Sequence, residues 1–457
     1  MTLNPLAKRF PANFKFGVAT ASFQIEGATK QGGRGPTIWD AFSHMPGRVY
    51  QGHTGNEACD HYNRWESDLD LIKSLNCDAY RFSIAWSRVL PEGRGRVNQE
   101  GLDFYDRLVD GLVARDISVF PTLYHWDLPL ALTGYGGWTD RDTADAFAEY
   151  TSHVVRRLGD RIDALSTFNE PWCSSYLGHL IGKHAPGEKN IDAAMAATHV
   201  INLAHGKAVQ AARAERADIQ MGVVLNTIST YAASDHPDDV AAAERHFQFH
   251  NDIYLGPMFA GKYGDQFLDA YGDKLRMQDG DMNIIHQPLD WWGFNYYYPA
   301  TVKHDPSPNA PFPASVAVPS TTSNVRTDIG WEIKSDGLTH LLNHVYDRYD
   351  MPPCYITENG ACYNMGPDAD GSVDDQPRLD YLNEHIGKVA DALDNGIPML
   401  GYFAWSLMDN FEWSEGYKMR FGIVHVDYET QVRTVKKSGK WYAALCAEHG
   451  AEVAPAE

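Results

Sequence analysis

Short apolar runs alternate with longer stretches of helical spacing along almost the whole chain. The short runs favour β-branched and aromatic residues, and several are continuous rather than alternating, as at Ile117-Ser118-Val119-Phe120. Strands covered by helices read this way. Eight strands are predicted, at 14–22, 78–86, 117–126, 164–170, 220–226, 291–298, 354–358 and 399–406. Between and after them, helices are predicted at 57–75, 100–115, 139–158, 193–215, 238–251, 337–349, 379–395 and 434–449. In the first helix Tyr62, Trp65, Leu69 and Ile72 share one face. In the third, Asp140 and Asp142 suit the positive end of the helix dipole. A Gly-rich stretch at 27–55 and a Pro/Ser/Thr-rich stretch at 299–324 read as long loops.

This strand–helix repeat runs without linker composition. It predicts an α/β chain in which residues 1–457 form a single (β/α)8 catalytic domain, a TIM barrel with long βα loops. The excess over about 250 residues is expected in the loops after strands one, four and six. Those loops lie on the face where barrels place active sites. A doubly wound open sheet is the alternative. It usually carries a Gly-rich phosphate turn after its first strand, and Gly17-Val18-Ala19-Thr20-Ala21 is not one.

With 457 residues, 44% of them hydrophobic, the chain can bury a large core. Its 60 acidic and 39 basic residues give a net charge of −21, which argues against nucleic acid and against anionic membrane surfaces. The six cysteines form no C-x-x-C pair, no H-E-x-x-H helix occurs, and no metal or cofactor is expected. Residues 1–16 have no apolar core of a signal peptide, and the longest nearly apolar run, 396–408, is too short for a bilayer. A cytoplasmic protein with reduced thiols is the expectation. The oligomeric state stays open, a homo-oligomer included.

The candidate chemistry sits where strands end. Tyr355-Ile356-Thr357-Glu358-Asn359-Gly360 reads as a strand whose last side chain before a turn is a carboxylate. Residues 164–171 have the same shape and deliver Asn169 and Glu170 ahead of Pro171. A barrel gathers its strand ends on one rim, so the two carboxylates are expected to meet. Gln24, Arg81, Trp86, His125, Trp126, Asn226, Asn295, Tyr297, Trp405, Glu412 and Trp413 should join them. Paired carboxylates are the minimum for glycoside hydrolysis. Neutral donors and tryptophan faces suit sugar hydroxyls and the apolar face of a pyranose. No strand ends in lysine, which argues against Schiff-base chemistry. Taken singly, Trp86, Trp405 and Tyr297 also read as core aromatics, His125 as a buried structural histidine, and Arg81 as part of a structural ion pair.

These residues lie in motifs that resemble glycoside hydrolase family 1 β-glucosidases. The motifs are the run 16–27, Tyr80-Arg81-Phe82-Ser83, His125-Trp126-Asp127, Thr167-Phe168-Asn169-Glu170-Pro171, Gly293-Phe294-Asn295-Tyr296-Tyr297, Thr357-Glu358-Asn359-Gly360 and the run 405–413. They span residues 16 to 413 in the family's order. The resemblance implies a retaining β-glycosidase acting on a small β-glucoside or cello-oligosaccharide, with β-galactosides or β-fucosides as secondary substrates. By the same resemblance Glu358 is the nucleophile and Glu170 the acid/base. Gln24, His125, Asn169, Glu412, Trp405 and Trp413 would hold the non-reducing sugar, and Arg81, Asn295 and Tyr297 would orient Glu358. Trp126 belongs to the sugar-binding set, and Asn226 and Trp331 resemble aglycone-side residues. Retention requires carboxyls about 5–5.5 Å apart. The alternative within the family is a 6-phospho-β-glucosidase, whose members carry Ser, Lys and Tyr where this chain has Glu412, Met419 and Phe421.

Overall fold

The computed structural model describes residues 5–307, 312–320 and 325–453. Eight parallel strands close into a barrel: β1 Lys15–Ala19, β2 Ala79–Ser83, β3 Ser118–Tyr124, β4 Leu165–Asn169, β5 Met221–Asn226, β6 Trp292–Asn295, β7 Cys354–Asn359 and β8 Met399–Trp405. The barrel shuts where β1 pairs with β8, Lys15 opposite Gly401 and Ala19 opposite Trp405. Each strand is followed by an outer helix: α1 His61–Ser74, α2 Gln99–Val113, α3 Asp142–Leu158, α4 Ile191–Glu215, α5 Pro237–Phe247, α6 Asp336–Arg348, α7 Gln376–Asp394 and α8 Lys437–Val453. The expected (β/α)8 barrel is therefore the fold.

The helices form for the reasons their spacing gives. Leu102, Tyr105, Leu108, Val109 and Leu112 of α2 make one buried stripe. The α4 N-terminus is capped by Asn190, whose side chain accepts from the amides of Asp192 and Ala193. Inside the barrel, Ala19, Ala79, Phe120, Val224 and Phe403 pack beneath Trp405. The lumen is thus a filled core and the rim above it a floor for chemistry.

Several boundaries differ from the sequence expectation. The first strand stops at Ala19, and Gln24 lies on a helical turn, Ser22–Ile25. The second stops at Ser83, and Trp86 opens another turn, Trp86–Val89. β7 continues through Asn359 because that side chain is bound inside the barrel wall, donating to Tyr296 O at 2.6 Å and accepting from the Tyr402 hydroxyl at 2.8 Å. The 27–55 stretch contains a helix, Ile38–Ser43, started by a reciprocal Thr37–Asp40 capping box. The 299–324 stretch contains strands Ala300–Lys303 and Val316–Val318, which pair with each other, the first also pairing with Thr230–Ala232. Residues 308–311 and 321–324 of that predicted loop lie outside the described residues. Extra length also enters between β5 and β6, where helices Asp265–Tyr271 and Asp281–Ile285 follow α5.

Candidate active site

Both predicted carboxylates reach one pocket at the strand ends. Glu358 sits in β7 and Glu170 directly follows β4, and each is almost completely buried. Arg81, from β2, donates to Glu358 Oε1 at 2.6 Å and to Asn169 Oδ1 at 2.7 Å. The Tyr297 hydroxyl donates to the other Glu358 oxygen at 2.7 Å. Asn295 Nδ2 donates to Glu170 Oε1 at 2.7 Å and to Asn169 Oδ1 at 3.0 Å. The two carboxyls are thus tied around one amide, that of Asn169, by different donors.

Their charges are set differently. Burial, then the negative charge of Glu358, pushes the Glu170 carboxyl up to about 8. Burial also raises Glu358, against the pull of Arg81 and the Tyr297 hydroxyl. Two buried carboxyls tied to one amide repel each other and do not both ionise readily. Glu358 holds the short ion pair with Arg81, so the shared proton belongs on Glu170. A third carboxyl, Glu412, is pushed up to about 8 by burial and by the charges of the other two.

The remaining polar groups leave specific atoms unused. Arg81 and Asn295 both donate to Asn169 Oδ1, which fixes that amide, so its Nδ2 donates to His125 Nε2 at 3.1 Å. Burial holds His125 well below its ordinary pKa, hence neutral. Its proton is then on Nδ1, which has no partner among the described residues. Gln24 Nε2 donates to Asn410 Oδ1, Phe411 O and Glu412 Oε2, leaving Gln24 Oε1 without a partner. A buried donor and a buried acceptor left over in this way are what a polyhydroxy ligand would satisfy.

Aromatic rings form the walls. His125 stacks near-parallel to Trp405 and Trp413, with centroids 5.8 and 6.0 Å away. Trp413 packs against Phe23, Trp39 and Trp126. Trp126, Glu170 and Trp413 have positive φ values of 79°, 48° and 50°. Such backbone is costly for residues with a Cβ, and here it turns three side chains inward at the strand ends. The β7 turn needs Gly360, where a Cβ would fall 1.7 Å from the Trp405 carbonyl oxygen.

An inner pocket of about 50 Å³ is lined by His125, Trp126, Glu170, Tyr297, Trp331, Glu358, Trp405, Glu412, Trp413 and Phe421. It adjoins a cleft of about 250 Å³ that also touches Asn226 and Asn295. Past Trp172, Ile228, Tyr298 and Trp331 lies a wider, mainly apolar chamber of about 770 Å³. Most predicted site residues line these spaces; Gln24, Arg81 and Asn169 stand behind the lining, bonded to Glu412, Glu358 and His125, and Trp86 lies away from it. Trp86 is fully buried against Trp138, Phe147 and Tyr150 on the helix side of the barrel. Its helical turn begins beyond the strand, so its ring never reaches the rim. Sequence reasoning missed Thr357, which donates to Asn295 Oδ1 at 2.8 Å, and Cys173, which donates to Glu170 Oε2 at 3.2 Å. The signal for Cys173 was its position three residues after Glu170 at the start of a helical segment. It also missed Asn410, which lies inside a quoted motif.

Comparison with known proteins agrees with this geometry. A β-glucosidase of Agrobacterium sp. is 60% identical over 445 residues, 97% of this chain and 96% of that one. A bifunctional β-D-glucosidase/β-D-fucosidase of Bifidobacterium breve is 43% identical, covering 97% of this chain and 99% of its own. The structure of virulence factor SghA from Agrobacterium tumefaciens superposes with a TM-score of 0.95 at 59% identity, covering 97% of this chain and 98% of that one. SghA has also been solved in complex with its substrate analog salicin. The glycosyl hydrolase family 1 model matches residues 6–451. A barrel with paired buried carboxyls, relatives this similar and a family match over nearly its full length lead to one assignment: the chain belongs to glycosyl hydrolase family 1.

Proposed function

We propose that this protein is a retaining β-glucosidase that removes terminal non-reducing β-D-glucosyl residues by double displacement. The observation that carries the reading is the unequal pairing of the two carboxyls: Glu358 on Arg81, Glu170 without a cation of its own. Glu358 attacks the anomeric carbon while Glu170 protonates the departing oxygen. Glu170, now ionised, takes a proton from water, which releases the sugar from Glu358. Asn295 and the Cys173 thiol support that ionised state. His125 Nδ1–H, Gln24 Oε1 and Glu412 bind the hydroxyls of the sugar, which rests on Trp405 and Trp413. Asn226 and Trp331 face the aglycone, and the apolar chamber beyond them favours aryl and alkyl aglycones. β-D-Fucosides are secondary substrates, by analogy with the bifunctional relative, and cello-oligosaccharides are natural candidates. The chain works as one catalytic domain. Its six cysteines are all free and buried, which suits a reducing, cytoplasmic setting. No described helix is long and apolar enough to cross a membrane.

A 6-phosphorylated sugar is not favoured. Among the described residues, no Lys or Arg lines the inner pocket. Arg420 is engaged with Asp409 at 2.8 Å, and Lys418 lies over the Tyr50 ring. A phosphate carries about −1.5 to −2 charge and needs such partners. Glu412 adds little repulsion toward a phosphate, since its pKa, pushed up to about 8, leaves it largely neutral below that pH.

The test is Glu358→Ala with nitrophenyl β-glucoside. Turnover should fall by about 10⁴–10⁶-fold, and added azide should restore part of it and give the inverted glycosyl azide. Undiminished turnover in Glu358→Ala would remove Glu358 from the mechanism.

A further inference from the structure

A buried ion cluster lies just behind the pocket wall formed by Glu412, Trp413 and Phe421. Its centre is Asp409, fully buried, between Trp405 and Glu412 in the sequence. Asp409 Oδ1 accepts from Lys436 Nζ at 2.7 Å and from the Gly422 amide at 3.0 Å. Asp409 Oδ2 accepts from Arg420 Nη1 at 2.8 Å. Lys436 is also fully buried and precedes α8. Neither Asp409, Arg420 nor Lys436 lines the inner pocket.

The arrangement brackets Phe421. One neighbour of Phe421, Arg420, is held through its side chain, and the other, Gly422, through its amide. Gly422 presses so close that a Cβ there would lie 2.0 Å from the Asp409 amide nitrogen. Arg420 is further fixed by donating to Val426 O at 3.0 Å, and its own carbonyl accepts from Arg378 at 2.9 Å. On the other side, Asn410 donates to Ser406 Oγ at 3.1 Å and accepts from Gln24 at 2.9 Å, and the Phe411 amide donates to Gln24 O at 3.2 Å. Asp409 therefore joins the segment carrying Glu412 and Trp413 to the returning segment carrying Phe421.

We infer that Asp409, with Lys436 and Arg420, is a positioning residue that sets the Glu412–Phe421 wall of the sugar pocket and so tunes recognition of the sugar's C6 group. The inference rests on the glucosidase reading above, in which Glu412 is among the groups that bind the sugar, and the family resemblance sets Glu412 beside the 4- and 6-hydroxyls. A charged centre suits the task. A carboxylate can accept from three directions at once, and charge-assisted bonds are shorter and stronger than neutral ones. The cluster is also intolerant of partial loss, because removing one partner leaves a buried charge unpaired.

The test compares kcat/KM for nitrophenyl β-glucoside and nitrophenyl β-xyloside, which lacks the C6 group, in the wild type, Asp409→Asn, and Asp409→Asn combined with Lys436→Met. Asparagine keeps the shape of Asp409 but not the ion pairs. The glucoside value should fall by about 10²-fold, the scale of a displacement of about 1 Å in a binding group, and the xyloside value by much less. The double variant should recover part of the thermal stability, having lost the more deeply buried of the two stranded cations, without recovering the glucoside preference. Equal losses on both glycosides, or return of the preference in the double variant, would show that Asp409 only stabilises the fold. If Asp409→Asn does not fold, Arg420→Gln carries the same comparison, since Arg420 is partly exposed. A wild type inactive on both glycosides would instead overturn the glucosidase reading itself.

Discussion

At the scale of single residues, the site separates two identical functional groups by their surroundings. Glu170 should be felt most when the leaving group needs a proton. Glu170→Gln should lower kcat/KM on alkyl glucosides by about 10²–10⁴-fold, and far less on dinitrophenyl glucoside. Equal losses on both would make Glu170 a shaping residue rather than an acid. The pH profile follows from the same environment. In the proposed mechanism Glu170 must hold its proton to act, and its pKa is pushed up to about 8, so activity should be lost as pH rises through about 8. Glu412 deprotonates in the same range. Glu170→Gln assayed on dinitrophenyl glucoside separates them, since a basic limb that persists there belongs to Glu412. The raised values also bear on stability. A carboxyl whose folded pKa exceeds its unfolded value binds its proton more tightly when folded, so its contribution weakens from about pH 4.3 upward and is lost above about 8. Glu170→Gln and Glu412→Gln should therefore each raise the Tm at pH 8, with little change at pH 4.5. A lower Tm at pH 8 in both would show that the neutral amides lose more than the buried charges cost.

At the scale of elements, strand ends and the turns after them place the chemistry. Gly360 lets β7 pass against the Trp405 carbonyl. Gly360→Ala should move β7 relative to β8, lowering stability by about 1–3 kcal/mol and activity with it, as read by melting and by kcat/KM. Unchanged values would mean that the turn can shift freely. The strands were legible because continuous apolar runs between amphipathic stretches have few other solutions, and both glutamates were legible because turn-forming residues follow them. The end of β7 was not. Asn359 reads locally as a turn former, yet Tyr296, Tyr381 and Tyr402 bind it within the wall. Trp86 reads as a rim residue for a related reason: propensity does not show that the chain leaves the sheet at Ser83. Cys173 and Thr357 were passed over because their roles lie in hydrogen bonds to other side chains, which no local pattern records.

At the scale of the whole molecule, the barrel supplies a filled floor and the long connections supply a deep wall. The inner pocket beside the two carboxyls opens past Trp331 toward a chamber of about 770 Å³, which leaves room for a second group beyond the one held at the carboxyls. Unphosphorylated nitrophenyl β-glucoside should accordingly exceed its 6-phosphate in kcat/KM. The reverse order would mean that a cation reaches the pocket after all. The central claim is the covalent route through Glu358, and the most direct measurement of it is the anomer first formed by the wild-type enzyme. Hydrolysis of an aryl β-glucoside followed by proton NMR from the first turnovers should show β-glucose appearing ahead of its mutarotation to the α form. If α-glucose appears first, the reaction inverts, Glu358 acts as a base on water, and the double displacement is wrong.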